Sequence, residues 1–175
     1  LYKLNAGVLE SVYPTKTAEK QVEIPSLDYA GKSGLAPAVK VAKPKVLIPV
    51  FPGTNCEFDS ARAVMAAGGE ADIVVIRNLT ADAVAQSVEA FSAKVKESQM
   101  IFIPGGFSGG DEPDGSAKFI TAFFRNPAIR EQVTRLLEDR DGLMLGICNG
   151  FQALIKLGLV PFGKIVDTDE NCPTL

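Results

Sequence analysis

Four short apolar runs alternate along the chain with segments of helical spacing. The runs span residues 45–51, 71–77, 100–103 and 142–147. Helices are predicted at about 57–67, 81–96, 115–125 and 127–139, the second of them capped by Thr80. Strands of a parallel sheet are buried on both faces, so they read as continuous apolar runs rather than alternating ones. The pattern therefore predicts an α/β fold with a doubly wound, mostly parallel sheet.

The strands of such a sheet point the same way, so their carboxyl ends share one edge, where these folds bind ligands. The segments that follow Phe51, Ile103 and Ile147 are therefore expected at this edge. The order of the strands within the sheet does not follow from one sequence.

The last apolar run leads into Gly146-Ile147-Cys148-Asn149-Gly150, and an amphipathic segment follows. Gly-x-Cys-x-Gly between a strand and a helix is typical of a nucleophile elbow, where side chains in place of the glycines would collide as the backbone turns. A thiol at a helix N-terminus lies at the positive end of the helix dipole, which favours the thiolate. Cys148 is therefore a candidate nucleophile, and the alternative is a buried cysteine at a strand end.

A second loop follows the third apolar run. Residues 104–111 contain four glycines. Such a loop lets backbone N–H groups approach a ligand closely, as in an oxyanion hole or an anion nest, and the alternative is a flexible surface turn. Because both loops lie at the same sheet edge, the amides of Gly106 and Asn149 can converge above the sulfur of Cys148.

Three separated motifs carry a resemblance to a known family: Phe51–Glu57, Pro104–Asp111 and Gly146–Gln152. They resemble the glutaminase domain of class I, triad-type glutamine amidotransferases, and within that class the glutaminase of phosphoribosylformylglycinamidine synthase. The runs Asp111–Ser116 and Phe123–Pro127 resemble the long single-chain forms of that enzyme. The similarity covers about residues 45–175 and implies a flavodoxin-like fold.

The resemblance implies a reaction and roles for five residues. The thiolate of Cys148 would attack the side-chain amide of glutamine, release ammonia and leave a thioester that water opens. Gly106 and Asn149 would donate backbone N–H groups to the oxyanion, while Gln152 and Phe107 would line the glutamine pocket. For Gln152 an ordinary polar residue in the first helical turn remains an alternative, and for Phe107 core packing does.

The same resemblance implies a partner, a synthetase domain in which ATP activates formylglycinamide ribonucleotide for conversion to the amidine. ATP and magnesium would bind there, and no cofactor or metal is expected in this chain.

A catalytic triad needs a base and an orienting carboxylate, yet the sequence contains no histidine. In the family a His-x-Glu pair lies downstream, so we interpret the chain as a fragment truncated at its C-terminus before the base, with little glutaminase turnover alone.

The N-terminal part of the chain has a different character. Residues 1–44 show no sustained helical or strand period, and residues 36–44 are typical of an extended linker. Several apolar residues near the start are expected to dock on a neighbouring domain: Tyr2, Leu4, Val8, Leu9, Val12 and Tyr13. We therefore expect an arm from a preceding synthetase domain of the same polypeptide at 1–44 and the N-terminal part of a glutaminase domain at 45–175.

Composition excludes several classes of protein. A net charge of −3 and a pI near 5.1 show no excess of basic residues of the kind that nucleic-acid binding requires. No run has the apolar length of a membrane span, and there is no signal peptide. Three irregularly spaced cysteines argue against a disulfide framework or a zinc site and fit a reducing cytosol, so a cytoplasmic location is expected.

Two further groups of side chains have more than one interpretation. Cys56 also follows a strand, but it lacks a following glycine, so we expect it to shape the pocket wall, with redox sensitivity as the alternative. Asp111, Glu112 and Asp114 are better explained by an acidic helix N-terminus than by metal binding. The role of Cys172 cannot be read from the sequence.

Two other classes of protein stay open. A cysteine-elbow stress or redox protein of flavodoxin-like fold would share Cys148 but would need an acidic partner near the thiol. A non-catalytic interaction module would carry a vestigial elbow and cap a larger synthetase.

Overall fold

The computed structural model describes residues 1–14, 26, 28, 30–31, 40–108 and 115–173. The chain divides into two compact units, residues 1–35 and residues 36–175. Residues 36–39 of the linker predicted at 36–44, and the acidic positions Asp111, Glu112 and Asp114, lie outside the described residues. Within the described residues, none of the helices combines the length and apolarity needed to cross a bilayer.

The first unit contains a short helix, α1 (Tyr2–Gly7), where the sequence predicted no helical period. None of its residues is buried, and its apolar side chains are exposed together with those that follow. Because six residues are too few to form a stable isolated helix, the periodicity signal was too short to predict it.

The second unit contains the predicted alternation of strands and helices. The strands are β1 (Lys45–Val50), β2 (Glu70–Val75), β3 (Met100–Ile103) and β4 (Leu143–Gly146). The helices are α2 (Glu57–Ala66), α3 (Ala81–Glu97), α4 (Lys118–Phe124), α5 (Pro127–Thr134), α6 (Asn149–Leu157) and α7 (Leu159–Phe162). A π-helical turn, Arg135–Asp139, extends α5, and Thr80 Oγ1 caps α3 by accepting from the Ala83 amide.

All strands of the sheet are parallel, in the order β2-β1-β3-β4. This is the strand order of the flavodoxin-like doubly wound fold, so the predicted fold class is confirmed. Because β3 lies between β1 and β4, the segments after these three strands emerge side by side at the carboxyl edge.

Helices cover both faces of the sheet. On one face the larger core packs four phenylalanine rings edge to face or tilted, with centroid separations of 5.3 to 6.3 Å: Phe51, Phe91, Phe123 and Phe124. Such aromatic pairs add about 0.5–1.5 kcal/mol beyond the apolar area that they bury. On the other face α2 packs over β1 and β2, with a smaller cluster at Val46, Ile48, Ala61 and Phe102.

The fourth strand differs from its prediction. The continuous apolar sequence predicts a fully buried strand, but Leu143 is 63% exposed and Leu145 is 40% exposed. The reason is tertiary: β4 lies at the edge of the sheet, and α2 covers only the part of that face formed by β1 and β2.

One predicted helix also begins later than expected. The helix predicted from about residue 115 starts at Lys118, because Ala117 has a φ of +60°, which interrupts helical geometry.

A single arginine ties the C-terminal end of α3 to the segment before β4. The Arg140 guanidinium donates to the carbonyls of Lys96 (2.7 Å), Ser98 (3.1 Å) and Val95 (2.8 Å). Helix ends leave carbonyls such as that of Lys96 without intrahelical partners, so the arginine supplies a donor at the end of α3.

We expect Arg140→Met, which keeps the apolar stem but removes these hydrogen bonds, to lower the free energy of unfolding by about 1.5–3 kcal/mol. Urea denaturation measures the change. Arg135→Met is the matched control, because Arg135 forms an exposed ion pair with Glu131, and loss of such a pair should cost no more than about 0.5 kcal/mol. Equal effects of the two substitutions would contradict the role given to Arg140.

Candidate active site

Cys148 lies in a sharp turn between β4 and α6. Its backbone has φ 52° and ψ −109°, a combination that residues with a side chain rarely adopt. A Cβ on Gly146 would lie 2.5 Å from the Gly150 carbonyl, and a Cβ on Gly150 would lie 2.2 Å from the Ile103 oxygen. The two glycines therefore allow the turn sterically, as the Gly-x-Cys-x-Gly pattern predicts.

Cys148 is an exposed free thiol, which rules out the alternative of a buried cysteine at a strand end. The glycine-rich loop lies beside it. A Cβ on Gly105 would be 3.3 Å from the Cys148 Cβ and 3.4 Å from the Ile147 oxygen. The two loops that the sequence singled out therefore meet at the carboxyl edge of the sheet.

The turn after β1 fixes the glycine-rich loop in place. The Asn55 amide donates to the Gly105 carbonyl and the Phe107 amide donates to the Gly53 carbonyl, both at 2.9 Å. These bonds flank an antiparallel bridge between Thr54 and Gly106. A Cβ on Gly53 would lie 2.0 Å from the Phe107 oxygen, so only glycine allows this approach.

The support that this turn gives to the glycine-rich loop was not predicted from the sequence, although Gly53-Thr54 directly after a strand was the available signal. Thr54 Oγ1 donates to the Phe51 carbonyl and accepts from the Phe51 amide. The end of β1 and the glycine-rich loop are thus joined by backbone and side-chain hydrogen bonds, which stiffen the loop beside the thiol.

Asn149 links the glycine-rich loop to the first turn of α6. Its side chain is buried; Oδ1 accepts from the Ser108 amide and Nδ2 donates to Gln152 Oε1, each at 3.3 Å. From the sequence, only the backbone amide of Asn149 was expected to contribute to the site. The structure gives the side chain a separate role, because it joins the loop and the helix on either side of the thiol.

The remaining predicted site residues lie around this junction. The Gly106 amide donates to no acceptor in the described part of the chain. Phe107 is 82% exposed, so the alternative of core packing is wrong for this residue. Gln152 is half-buried in the first turn of α6.

The other two cysteines are also free thiols. Cys56 is exposed at the N-terminus of α2 with a φ of +67°, and its Sγ lies 3.1 Å from Asn55 Oδ1. Its neighbour Asn55 holds Gly105, so Cys56 flanks the turn that supports the loop. Cys172 lies in the C-terminal segment with Sγ 3.6 Å from Asp169 Oδ1.

The strand order and the strained cysteine between strand and helix define a class of protein: a flavodoxin-like α/β protein with a cysteine in an elbow-type turn between strand and helix. A family profile for the CobB/CobQ-like glutamine amidotransferase domain matches residues 43–175. The chain belongs to this family.

Curated relatives give the comparison more detail. The phosphoribosylformylglycinamidine synthase subunit PurQ of Dehalococcoides mccartyi is 37% identical over 121 residues, which are 69% of this chain and 43% of the relative. PurQ of Pyrococcus furiosus is 37% identical over 117 residues, which are 67% of this chain and 43% of the relative. The chain thus spans less than half the length of these relatives.

A solved structure also matches. It is described as the structure of PurLQS from Thermotoga maritima, with 29% identity, a TM-score of 0.46, and coverage of 67% of this chain and 45% of that one.

Proposed function

We propose that this chain is the nucleophile-bearing part of the glutaminase of phosphoribosylformylglycinamidine synthase. The observation that carries the proposal is the strained, exposed Cys148 beside the Gly105 backbone. The names of the PurQ relatives support the substrate class, because 37% identity extends over 121 and 117 residues of this chain.

In the proposed reaction, Cys148 Sγ attacks the side-chain amide carbon of glutamine. The C–S bond forms, the carbonyl becomes an oxyanion, and its collapse breaks the C–N bond and expels ammonia after protonation of the nitrogen. Water then attacks the thioester, the C–S bond breaks, and glutamate leaves. The exposed position of Cys148 in the turn directly before α6 supports the first step, because a substrate at the carboxyl edge of the sheet can reach the thiol.

The backbone amides of Gly106 and Asn149 are the proposed donors to the oxyanion. The hydrogen bonds of Asn55 and Phe107 on either side of Gly106 support this role, because they fix the loop before substrate binds. Preorganised donors avoid reorganisation during the reaction, and loss of one such donor typically raises the barrier by about 2.7–4 kcal/mol.

Gln152 and Phe107 are the proposed walls of the glutamine pocket. Gln152 shares a hydrogen bond with Asn149, which orients its amide toward the elbow side of α6. Phe107 exposes most of its ring next to Gly106, so it can cover the aliphatic part of a bound glutamine. An amide and an apolar ring match the polar and apolar parts of that substrate.

The catalytic base is proposed to come from a residue outside this chain, because its 175 residues include no histidine. The ATP-dependent step, with its magnesium, is assigned to a synthetase partner that receives the ammonia.

Within the chain, we propose residues 1–44 as the arm from that partner and residues 45–175 as part of the glutaminase domain. Three free thiols support a cytoplasmic location, since reducing compartments keep cysteines unpaired.

A glutamine-mimicking diazoketone tests the proposal. We expect one covalent adduct, located on Cys148 by peptide mass spectrometry and prevented by excess glutamine, because the reagent binds as the substrate does and alkylates the thiolate. Cys56→Ser is the matched control, since Cys56 is also an exposed, positive-φ thiol at a helix N-terminus. The adduct should persist in this variant and disappear in Cys148→Ser.

The outcomes separate the proposal from its rivals. An adduct that glutamine does not prevent, or one on Cys56, contradicts a glutaminase site. A redox protein would need a carboxylate partner for the thiol, and no hydrogen bond joins Cys148 to a carboxylate within the described residues. Absence of any adduct in the full-length protein would favour the non-catalytic interaction module.

A further inference from the structure

The amide side chain of Asn149 is buried next to the thiol, and the proposed reaction gives it no task. Asn149 is 1% exposed, and Ser108, its partner in the glycine-rich loop, is 2% exposed. Its oxygen accepts from the Ser108 amide, and its nitrogen donates to Gln152 Oε1. Burying a polar group is costly unless it is hydrogen-bonded, so these partners are what makes an asparagine tolerable at this position.

The backbone of the loop determines which way the Asn149 amide faces. The Ser108 N–H can only donate, so the atom opposite it must be the Asn149 oxygen. The Asn149 nitrogen then lies on the other side, where it needs an acceptor and finds Gln152 Oε1. The Gln152 amide is oriented in turn, and its Nε2 stays a donor without an acceptor among the described residues. One backbone N–H thus orients two side-chain amides in succession.

The bond between Asn149 and Ser108 also joins the two backbone segments that carry the proposed oxyanion donors. One donor is the backbone amide of Asn149 itself, and the other belongs to Gly106, two residues before Ser108. The amides of Asn55 and Phe107 hold the same loop on the side of β1. The Asn149 side chain holds the loop on the side of α6, so it connects the residue that bears one donor to the loop that bears the other.

We propose that Asn149 acts through its side chain as a positioning residue, which sets the spacing of the two oxyanion donors and keeps Gln152 Nε2 available as a donor to bound glutamine. The inference rests on the proposed glutaminase function and adds a residue that touches no reacting atom. The spacing of the donors affects the transition state, where the oxyanion forms, so its loss lowers kcat. The orientation of Gln152 affects substrate binding, so its loss raises KM.

Asn149→Leu in the full-length protein tests the catalytic effect, because leucine keeps the shape of asparagine and the backbone donor but forms no side-chain hydrogen bonds. We expect kcat for ammonia release from glutamine to fall about ten- to a hundredfold, since misplacing a donor costs no more than removing it. Gln152→Leu should raise KM. In the double variant this second substitution should raise KM by a smaller factor, because Gln152 is then no longer oriented by Asn149.

Hydrogen exchange at the Ser108 amide gives a readout that does not depend on catalysis. Exchange should be about tenfold faster or more in Asn149→Leu, and Asn149→Asp should slow it again, because a carboxylate offers the same amide an acceptor. Asn126→Leu is the matched control: it makes the same substitution at the start of α5, where Asn126 Oδ1 accepts from the Ala128 amide at 3.0 Å. This variant should keep both kcat and the exchange rate at Ser108.

Three results would overturn the positioning role of Asn149. They are a kcat of Asn149→Leu within about twofold of the unsubstituted protein, unchanged exchange at Ser108, or equal losses in Asn126→Leu, which would indicate only lower stability. Failure of the proposed function is a different result, because the unsubstituted full-length protein would then release no ammonia from glutamine. Unfolding temperatures verify that Asn149→Leu is folded, and Asn149→Ala, which also removes the amide, gives the same test if it is not.

Discussion

Cys148→Ser is expected to lower kcat for glutamine hydrolysis in the full-length protein by about 10⁴-fold or more, as removal of a catalytic nucleophile generally does. Serine has nearly the same size as cysteine and can adopt the same strained backbone, so the elbow should be preserved. A hydroxyl, however, is a much weaker nucleophile than a thiol when no base activates it, so attack on the amide carbon is slowed. Ammonia release from glutamine measures the change.

Two controls make this result specific. Synthesis with ammonium chloride in place of glutamine should be retained in Cys148→Ser, because the proposed synthetase step does not use the thiol. Cys172→Ser should keep glutamine hydrolysis, since this thiol lies near Asp169 in the C-terminal segment. A Cys148→Ser protein that retains more than about one hundredth of the glutamine-dependent rate would show that Cys148 is not the nucleophile.

Gly150→Ala is expected to have the largest effect on folding, a loss of about 3 kcal/mol or more in the free energy of unfolding. The new Cβ would lie 2.2 Å from the Ile103 oxygen and 2.9 Å from the Pro104 oxygen. Both are backbone atoms of β3 and the loop after it, so they cannot rotate away as a side chain would. The helix propensity of alanine, which favours the substitution by about 1 kcal/mol, is too small to offset this clash.

Gly68→Ala is the matched control for Gly150→Ala. Gly68 has a φ of +89° and open space around its added Cβ, so alanine there should cost only the strain of the left-handed backbone, about 1–2 kcal/mol. Urea denaturation followed by circular dichroism compares the two variants. Equal losses would mean that the contact between α6 and β3 is looser than the distances indicate.

The elbow illustrates what local sequence can predict. Gly146, Cys148 and Gly150 lie within five residues, and the collision that each glycine avoids arises from a strand, a turn and a helix in direct succession. The same reasoning predicted β1 to β4 to within a few residues, because parallel strands read as apolar runs. The exposure of Leu143 and Leu145 was not predicted, since an apolar run does not tell whether both faces are covered.

Longer-range features depended on the order of the strands. Gly105 lies beside Cys148 because β3 pairs with β4, and Asn55 reaches Gly105 because β1 pairs with β3 on its other side. Asn149 Oδ1 accepts from the Ser108 amide 41 residues earlier in the chain, a contact that no spacing rule predicts.

The sequence by itself therefore determined the alternation of strands and helices, the elbow and the lack of a histidine, because these depend on neighbouring residues or on composition alone. Only the tertiary structure decided which loops meet at the thiol and which side chains join those loops. These depend on contacts between residues far apart in the chain, and the packing of the sheet and its helices selects those contacts as a whole.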